Sequence, residues 1–145
     1  LDRVKIEDKA AIIGGGTVGC EVAIFLAERG VDVTLLEMFP YVAHGIPRLV
    51  GKMMKDMMIE LGVDIMTNRR VVHISEEQVI HEDPEKKRAS LPVAQVVLAM
   101  GSKPRNDLAR SLKDLVGENY LIGDCLEPRR ALEAISEGAE VGLRL

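Results

Sequence analysis

Gly14, Gly16 and Gly19, with Glu37 beyond them, are the residues whose types and spacing carry chemistry in this chain. They sit in the turn Gly14-Gly15-Gly16-Thr17-Val18-Gly19, which follows the apolar run Ala10-Ala11-Ile12-Ile13. After the turn comes an apolar helical pattern to Arg29, then Gly30 as a stop, then Val31-Asp32-Val33-Thr34-Leu35-Leu36 leading into Glu37. Strand, glycine turn, helix, strand and terminal acid, in that order, form an arrangement that binds a dinucleotide. Gly14 permits the tight turn off the strand. Gly16 has no side chain, so a pyrophosphate can approach the backbone, and Gly19 lets the helix pack closely on the strands. The amides around Gly15, Thr17 and Val18 open a helix whose positive dipole end favours phosphate charge. Glu37 can accept hydrogen bonds from both hydroxyls of an adenosine ribose.

The helix expected over residues 17–29 has an unusually narrow polar stripe, made of Glu21 and Glu28. An outer helix of a lone domain needs a wider one, so this helix is expected to be covered on more than one side. Glu21 has two readings. It is either a favourable acid near a helix N-terminus or a carboxylate facing the ligand.

The elements that must position these residues follow from the rest of the pattern. Residues 10–13, 31–36, 63–66 and 93–100 are short apolar runs of the kind buried on both faces of a parallel sheet. Residues 48–61 predict a second helix with Leu49, Val50, Met53, Met54, Met57, Met58 and Leu61 on one broad face. Such a methionine stripe can form an adaptable binding surface, but at this spacing core packing is the stronger expectation. Val71 to Ile74, Val79 to His81 and Ala89 to Leu91 predict a small antiparallel meander between polar turns, with His73 and His81 facing solvent. His44 stands alone in the loop after Glu37, and no metal or catalytic role is expected of any histidine. Residues 107–115 predict a short helix, 120–124 a short strand ending in Asp124, and 127–145 a helix with Pro128 near its start. The expected fold class is α/β: a Rossmann-like parallel sheet flanked by helices, with the antiparallel meander as one crossover.

Composition narrows the function. The chain has 145 residues, about one domain. A net charge of −4 supplies no basic footprint for nucleic acid. No apolar run approaches the ~20 residues of a membrane span, and Leu1-Asp2-Arg3 does not begin a signal peptide. A soluble, cytoplasmic protein is expected, and a first residue other than Met suggests a piece of a longer chain. The two cysteines, Cys20 and Cys125, form no C-x-x-C pair and are read as structural.

Four segments resemble the pyridine-nucleotide flavoprotein reductases: residues 12–21 (IIGGGTVGCE), 33–37 (VTLLE), 96–104 (VVLAMGSKP) and 122–130 (IGDCLEPRR). The last segment, followed by ALEAISEG, resembles the C-terminal end of the NADH:flavin oxidoreductase group. That group includes 2,4-dienoyl-CoA reductase, 2-enoate reductase and trimethylamine dehydrogenase relatives. The resemblance implies a parent with a barrel carrying FMN, an iron–sulfur cluster and interleaved NAD(P)H and FAD domains. It divides the chain into a linker (1–9), an NAD(H)-binding domain (10–101) and a returning segment of an FAD-binding domain (102–145). It also implies that Gly14, Gly16 and Gly19 cradle the NADH pyrophosphate and that Glu21 approaches the nicotinamide. By the same likeness, Glu37 takes the adenosine ribose, Gly101 lines the cleft, and Asp124 holds the flavin's ribityl or phosphate region, with the helix start near Pro128 pointing at FAD. Gln95, where such proteins often carry Asp, and Pro104-Arg105-Asn106 depart from the pattern, away from the phosphate turn.

Three functions compete on these residues: the NADH-binding segment of a multidomain flavoenzyme, a non-catalytic NADH-sensing module, and an S-adenosylmethionine methyltransferase. The third is disfavoured, because the glycine spacing suits a pyrophosphate which that cofactor lacks. The expected partners are the other domains of the parent polypeptide, with a homodimer possible in principle through residues 120–145. These are expected to dock on a sheet edge, in the same chain or a second copy. Glu37, followed by Met38-Phe39-Pro40 and no cation before Arg48, favours NADH over NADPH.

Overall fold

Lys9–Ile13 (β1) forms the centre of a four-stranded parallel sheet because its side chains are apolar on both faces. It pairs with Asp32–Leu36 (β2) on one side and with Gln95–Leu98 (β7) on the other; Asp64–Met66 (β3) lies outside β2. Thr17–Ala27 (α1) and Arg48–Glu60 (α2) supply the crossovers between the first three strands. The alternation along β1 sends Ala10 and Ile12 toward a cluster with Cys20, Ala23 and Leu26 of α1 and Met58 of α2. Ala11 and Ile13 point the other way, into a second cluster with Leu36, Val79 and Val93. The computed structural model describes residues 5–145. Residues 1–4 of the expected linker lie outside the described residues.

The second face of the sheet is closed by an antiparallel meander of Arg70–Ile74 (β4), Gln78–Glu82 (β5) and Arg88–Pro92 (β6). Its two turns are fixed by side chains. Ser75 Oγ accepts the Gln78 amide at 3.3 Å, and Asp83 Oδ1 accepts the Lys87 amide at 2.9 Å. These are the polar clusters that the sequence marks as turns.

His81 does not face solvent as its place in the alternation predicts. His73 is exposed, but His81 is only 4% accessible. A bulge between Val71 and His73 makes Val71 pair with His81 and His73 with Ile80, so the two histidines take opposite faces. His81 then shares the inner face with Val79, and its Nδ1 is buried without a partner.

The helices also depart from expectation. On α2 only Met58 is buried, and Met54 packs partly against the core; Leu49, Val50, Met53 and Met57 are exposed. The core-packing reading of the methionine stripe is therefore wrong for most of it, since α1 and Met58 already fill that side of the sheet. On α1, Val18 and Phe25 are likewise exposed, so the expected second cover is not supplied by the described residues.

The chain divides into two units, one ending at Gly101 and the other running Ser102–Leu145. The second holds Asp107–Leu112 (α3), a 3₁₀ turn at Gly123–Cys125 and Ala131–Gly142 (α4). The strand expected at 120–124 does not form. A strand needs a neighbour for its amides and carbonyls, and this unit offers only helices. The Gly123 amide instead donates to Glu137 Oε2 of α4 at 2.6 Å. α4 starts at Ala131 because Glu133 reaches back to the Arg130 amide, at 3.2 Å, as a helix cap. Leu132 and Ile135, which the docking expectation would bury, are exposed.

Candidate dinucleotide-binding site

The glycine turn leaves the end of β1 and enters α1, and its three spaced glycines answer to different constraints. Gly14 has φ +105°, and a Cβ there would collide with the Ala99 carbonyl just beyond β7. A Cβ on Gly19 would overlap the Gly14 carbonyl oxygen. Both are demanded by packing. Gly16 is different: its φ is an ordinary −68°, and a Cβ would meet only His44, with Cε1 at 3.4 Å. The fold itself leaves room for a side chain at Gly16.

Gly16 is the N-cap residue of α1, and no side chain caps the helix. The first-turn amides, from Thr17 to Gly19, have no carbonyl one turn back to bond. Together with the helix dipole they can receive an anion. Glu21 is exposed beyond that first turn, which contains no acid.

Glu37 stands against the turn. Its Oε2 accepts the Gly15 amide at 2.6 Å and its Oε1 accepts the Phe39 amide at 2.8 Å. The residue is only 3% exposed. His44 Nε2 lies 3.4 Å from the same Oε2. The Ala43 amide donates to the Gly15 carbonyl at 2.6 Å, and His44 bridges to Gly16 in parallel fashion. Glu37, Phe39 and Tyr41 lie near His44 in the chain, but only the fold turns the loop back onto Gly16, so the sequence does not mark this contact. The nearest signal was the run of Pro40, Gly45 and Pro47, which marks a sharply turned segment.

The loop also walls a cavity of about 770 Å³ whose lining includes Tyr41, His44, Arg48, Lys52, Lys55 and Ile65. The cations come from one side of α2, and no acid lines the space. Their helical spacing was visible in the sequence, though their place beside the loop was not. Cys20, on the first turns of α1, is buried with its Sγ donating to the Gly15 carbonyl at 3.5 Å. Burial pushes its thiol pKa up, so it packs as a small neutral group.

The structure thus brings together Gly14, Gly15, Gly16, Thr17, Val18, Gly19 and Glu37. Gly101, at φ +81°, is exposed just after the Ala99 carbonyl that abuts Gly14. Asp124 is exposed in the 3₁₀ turn of the second unit.

A parallel sheet with a glycine turn at the carboxyl end of β1 and an acid at the end of β2 defines a Rossmann-like nucleotide-binding unit. Residues 1–138 match the pyridine nucleotide-disulphide oxidoreductase family, and the chain belongs to it. The family is one of oxidoreductases. Among its relatives, an NADH oxidase of Thermoanaerobacter brockii is 31% identical over 96% of this chain and 22% of its own length. A bilirubin reductase of Mediterraneibacter gnavus is 33% identical over 90% of this chain and 20% of its own. The chain therefore spans about a fifth of the length of these relatives. The solved structure of a 2-naphthoyl-CoA reductase superposes with a TM-score of 0.85 at 29% identity, over 98% of this chain and 22% of that one. Histamine dehydrogenase from Rhizobium sp. 4-9 superposes with a TM-score of 0.83 over 95% of this chain and 23% of that one. At 21% identity that likeness speaks for the fold alone. No helix among the described residues is long and apolar enough to cross a membrane.

Proposed function

We propose that this chain is the NADH-binding segment of a multidomain flavin-dependent oxidoreductase of the enoate or dienoyl-CoA reductase type. The observation that carries the reading is that Gly16, a glycine which no backbone clash requires, lies in the turn whose Gly15 amide is bonded to the Glu37 carboxylate. Gly14 and Gly19 hold the turn in shape, and Gly15, Gly16, Thr17 and Val18 present backbone to the pyrophosphate. Glu37 accepts the adenosine ribose hydroxyls. Gly101 lines the cleft without a side chain, and Glu21, exposed on α1, faces the nicotinamide end of the ligand. NADH held here would be the hydride donor for a flavin; the residues named here bind and orient it.

FAD belongs to the same reading, with Asp124 and the helix start near Pro128 as the elements of this chain that face it. FMN and the iron–sulfur cluster belong to parts of the parent polypeptide beyond these residues, and those parts are the segment's partners. The likeness to the T. brockii NADH oxidase and to 2-naphthoyl-CoA reductase supports this assignment.

Cofactor choice follows from Glu37. A 2′-phosphate beside a buried carboxylate meets like charge, which disfavours it by about 1–3 kcal/mol on the scale of charge-assisted bonds. The cations of α2 offset part of that, so the expected preference for NADH is about tenfold. Calorimetric titration of the chain with both cofactors tests it. Tighter binding of NADPH would overturn the NADH assignment, and absence of binding by either would overturn the reading as a whole.

A further inference from the structure

The carboxylate that the ribose needs is closed off. Glu37 is 3% exposed, and what covers it on the turn side is the imidazole of His44. The ring lies 3.4 Å from Glu37 Oε2, and its Cε1 stands 3.4 Å from where a Cβ of Gly16 would be. It therefore fills the approach between the proposed pyrophosphate position and the proposed ribose position. Phe39 and Tyr41 hold it edge-on, with ring centroids at 5.5 Å and 6.4 Å. The hydrogen bonds from Gly15 and Phe39 leave the carboxylate part of its acceptor capacity, and His44 takes the remaining open side.

We propose that His44 is a specificity-determining gate on Glu37, which the adenosine ribose displaces in order to bind; this rests on the NADH-binding reading above. The ring occupies the place of the ribose and swings out by rotation of its own side chain, because Val42 and Ala43 beside it are core residues and the Ala43 amide is bonded to the Gly15 carbonyl. Ala43, at φ +55°, and Gly45, at φ +85°, flank His44 in left-handed backbone. A ligand pays for displacement only by what it gains at Glu37. Nucleotides with a free vicinal diol on the adenosine ribose open the gate. A 2′-phosphorylated or 2′-deoxy adenosine nucleotide, which lacks the free diol, does not.

The test uses the 145-residue chain and AMP, which carries the ribose and one phosphate. In the free protein, nuclear Overhauser contacts are expected between the His44 ring and the Gly16 Hα protons. Saturation with AMP is expected to abolish them while the Gly15–Gly16 amides shift. His44→Ala is expected to bind AMP about threefold to tenfold more tightly, the net worth of one hydrogen bond removed from the free state. In a Glu37→Gln background that gain is expected to shrink. Contacts that are absent from the free protein, or that persist when AMP is bound, overturn the gate while leaving nucleotide binding standing. Unchanged or weaker binding by His44→Ala does the same. Failure of AMP and NADH to bind at all overturns the nucleotide reading and the gate with it. The Overhauser measurement needs no variant, so a poorly folding His44→Ala leaves the proposal exposed to refutation.

Discussion

The Gly15 amide donates to Glu37 Oε2 at 2.6 Å, tying the glycine turn after β1 to the acid at the end of β2. One side chain thus serves both fold and site. Both carboxylate oxygens accept backbone amides, from Gly15 and Phe39, so Glu37→Gln loses the charge and one of the two acceptors, leaving a buried N–H facing the glutamine NH2 at a cost of about 1–3 kcal/mol. The expected outcome is a loss of about 1–3 kcal/mol in urea denaturation, with NADH affinity falling about tenfold. A variant as stable and as tightly binding as the parent would remove Glu37 from both roles.

The glycines separate packing from binding. Gly19→Ala places a methyl group on the Gly14 carbonyl, so α1 must shift. Overpacking of this kind costs about 1–3 kcal/mol, and thermal denaturation should register it. Gly16→Ala meets no such obstacle and its φ is ordinary, but alanine is a poorer N-cap than glycine, so the two effects oppose and stability should change by no more than about 1 kcal/mol. NADH affinity should nevertheless drop at least about tenfold, because the methyl group occupies the phosphate approach. Equal NADH affinity in Gly16→Ala would mean the phosphate lies elsewhere.

His81 sets a pH dependence. Burial, then the nearby Arg69 charge, pushes its pKa below the ordinary 6.5, while Asp83 opposes them. Since the folded value is depressed, the unfolded chain binds the proton first as pH falls below 6.5. Its contribution to stability is full above that value and is lost as pH falls through the folded value. His81→Phe should flatten the acid limb of the stability profile. A profile with the same slope below pH 6.5 would assign the acid sensitivity to other groups.

The exposed face of α2 is a further check on the fold. Leu49 is 71% and Met53 61% exposed, so neither holds the core together. Leu49→Lys and Met53→Lys should each change stability by no more than about 0.5 kcal/mol. Losses of several kcal/mol would place these side chains in a packed interior after all.

The sequence was most legible where local chemistry and packing agree. Gly14 and Gly19 are glycines for steric reasons that the motif states, and β1 and β2 lie where their apolar runs are. His81 was misread because a bulge breaks the strict alternation on which facing was judged. The α2 stripe was misread because periodicity reports which residues share a face, not whether anything covers that face. Residues 120–124 have strand composition, yet a strand depends on a neighbour that composition does not supply. His44 was invisible as a site residue because its partners, Gly16 and Glu37, are joined to it only through the fold.

The central claim is that the turn and Glu37 together hold NADH, and amide NMR of the chain during NADH titration tests it most directly. The account predicts saturable shifts concentrated at Gly15, Gly16, Thr17, Val18 and Glu37, with the α4 amides unmoved. Shifts confined to other elements, or none at millimolar NADH, would contradict it.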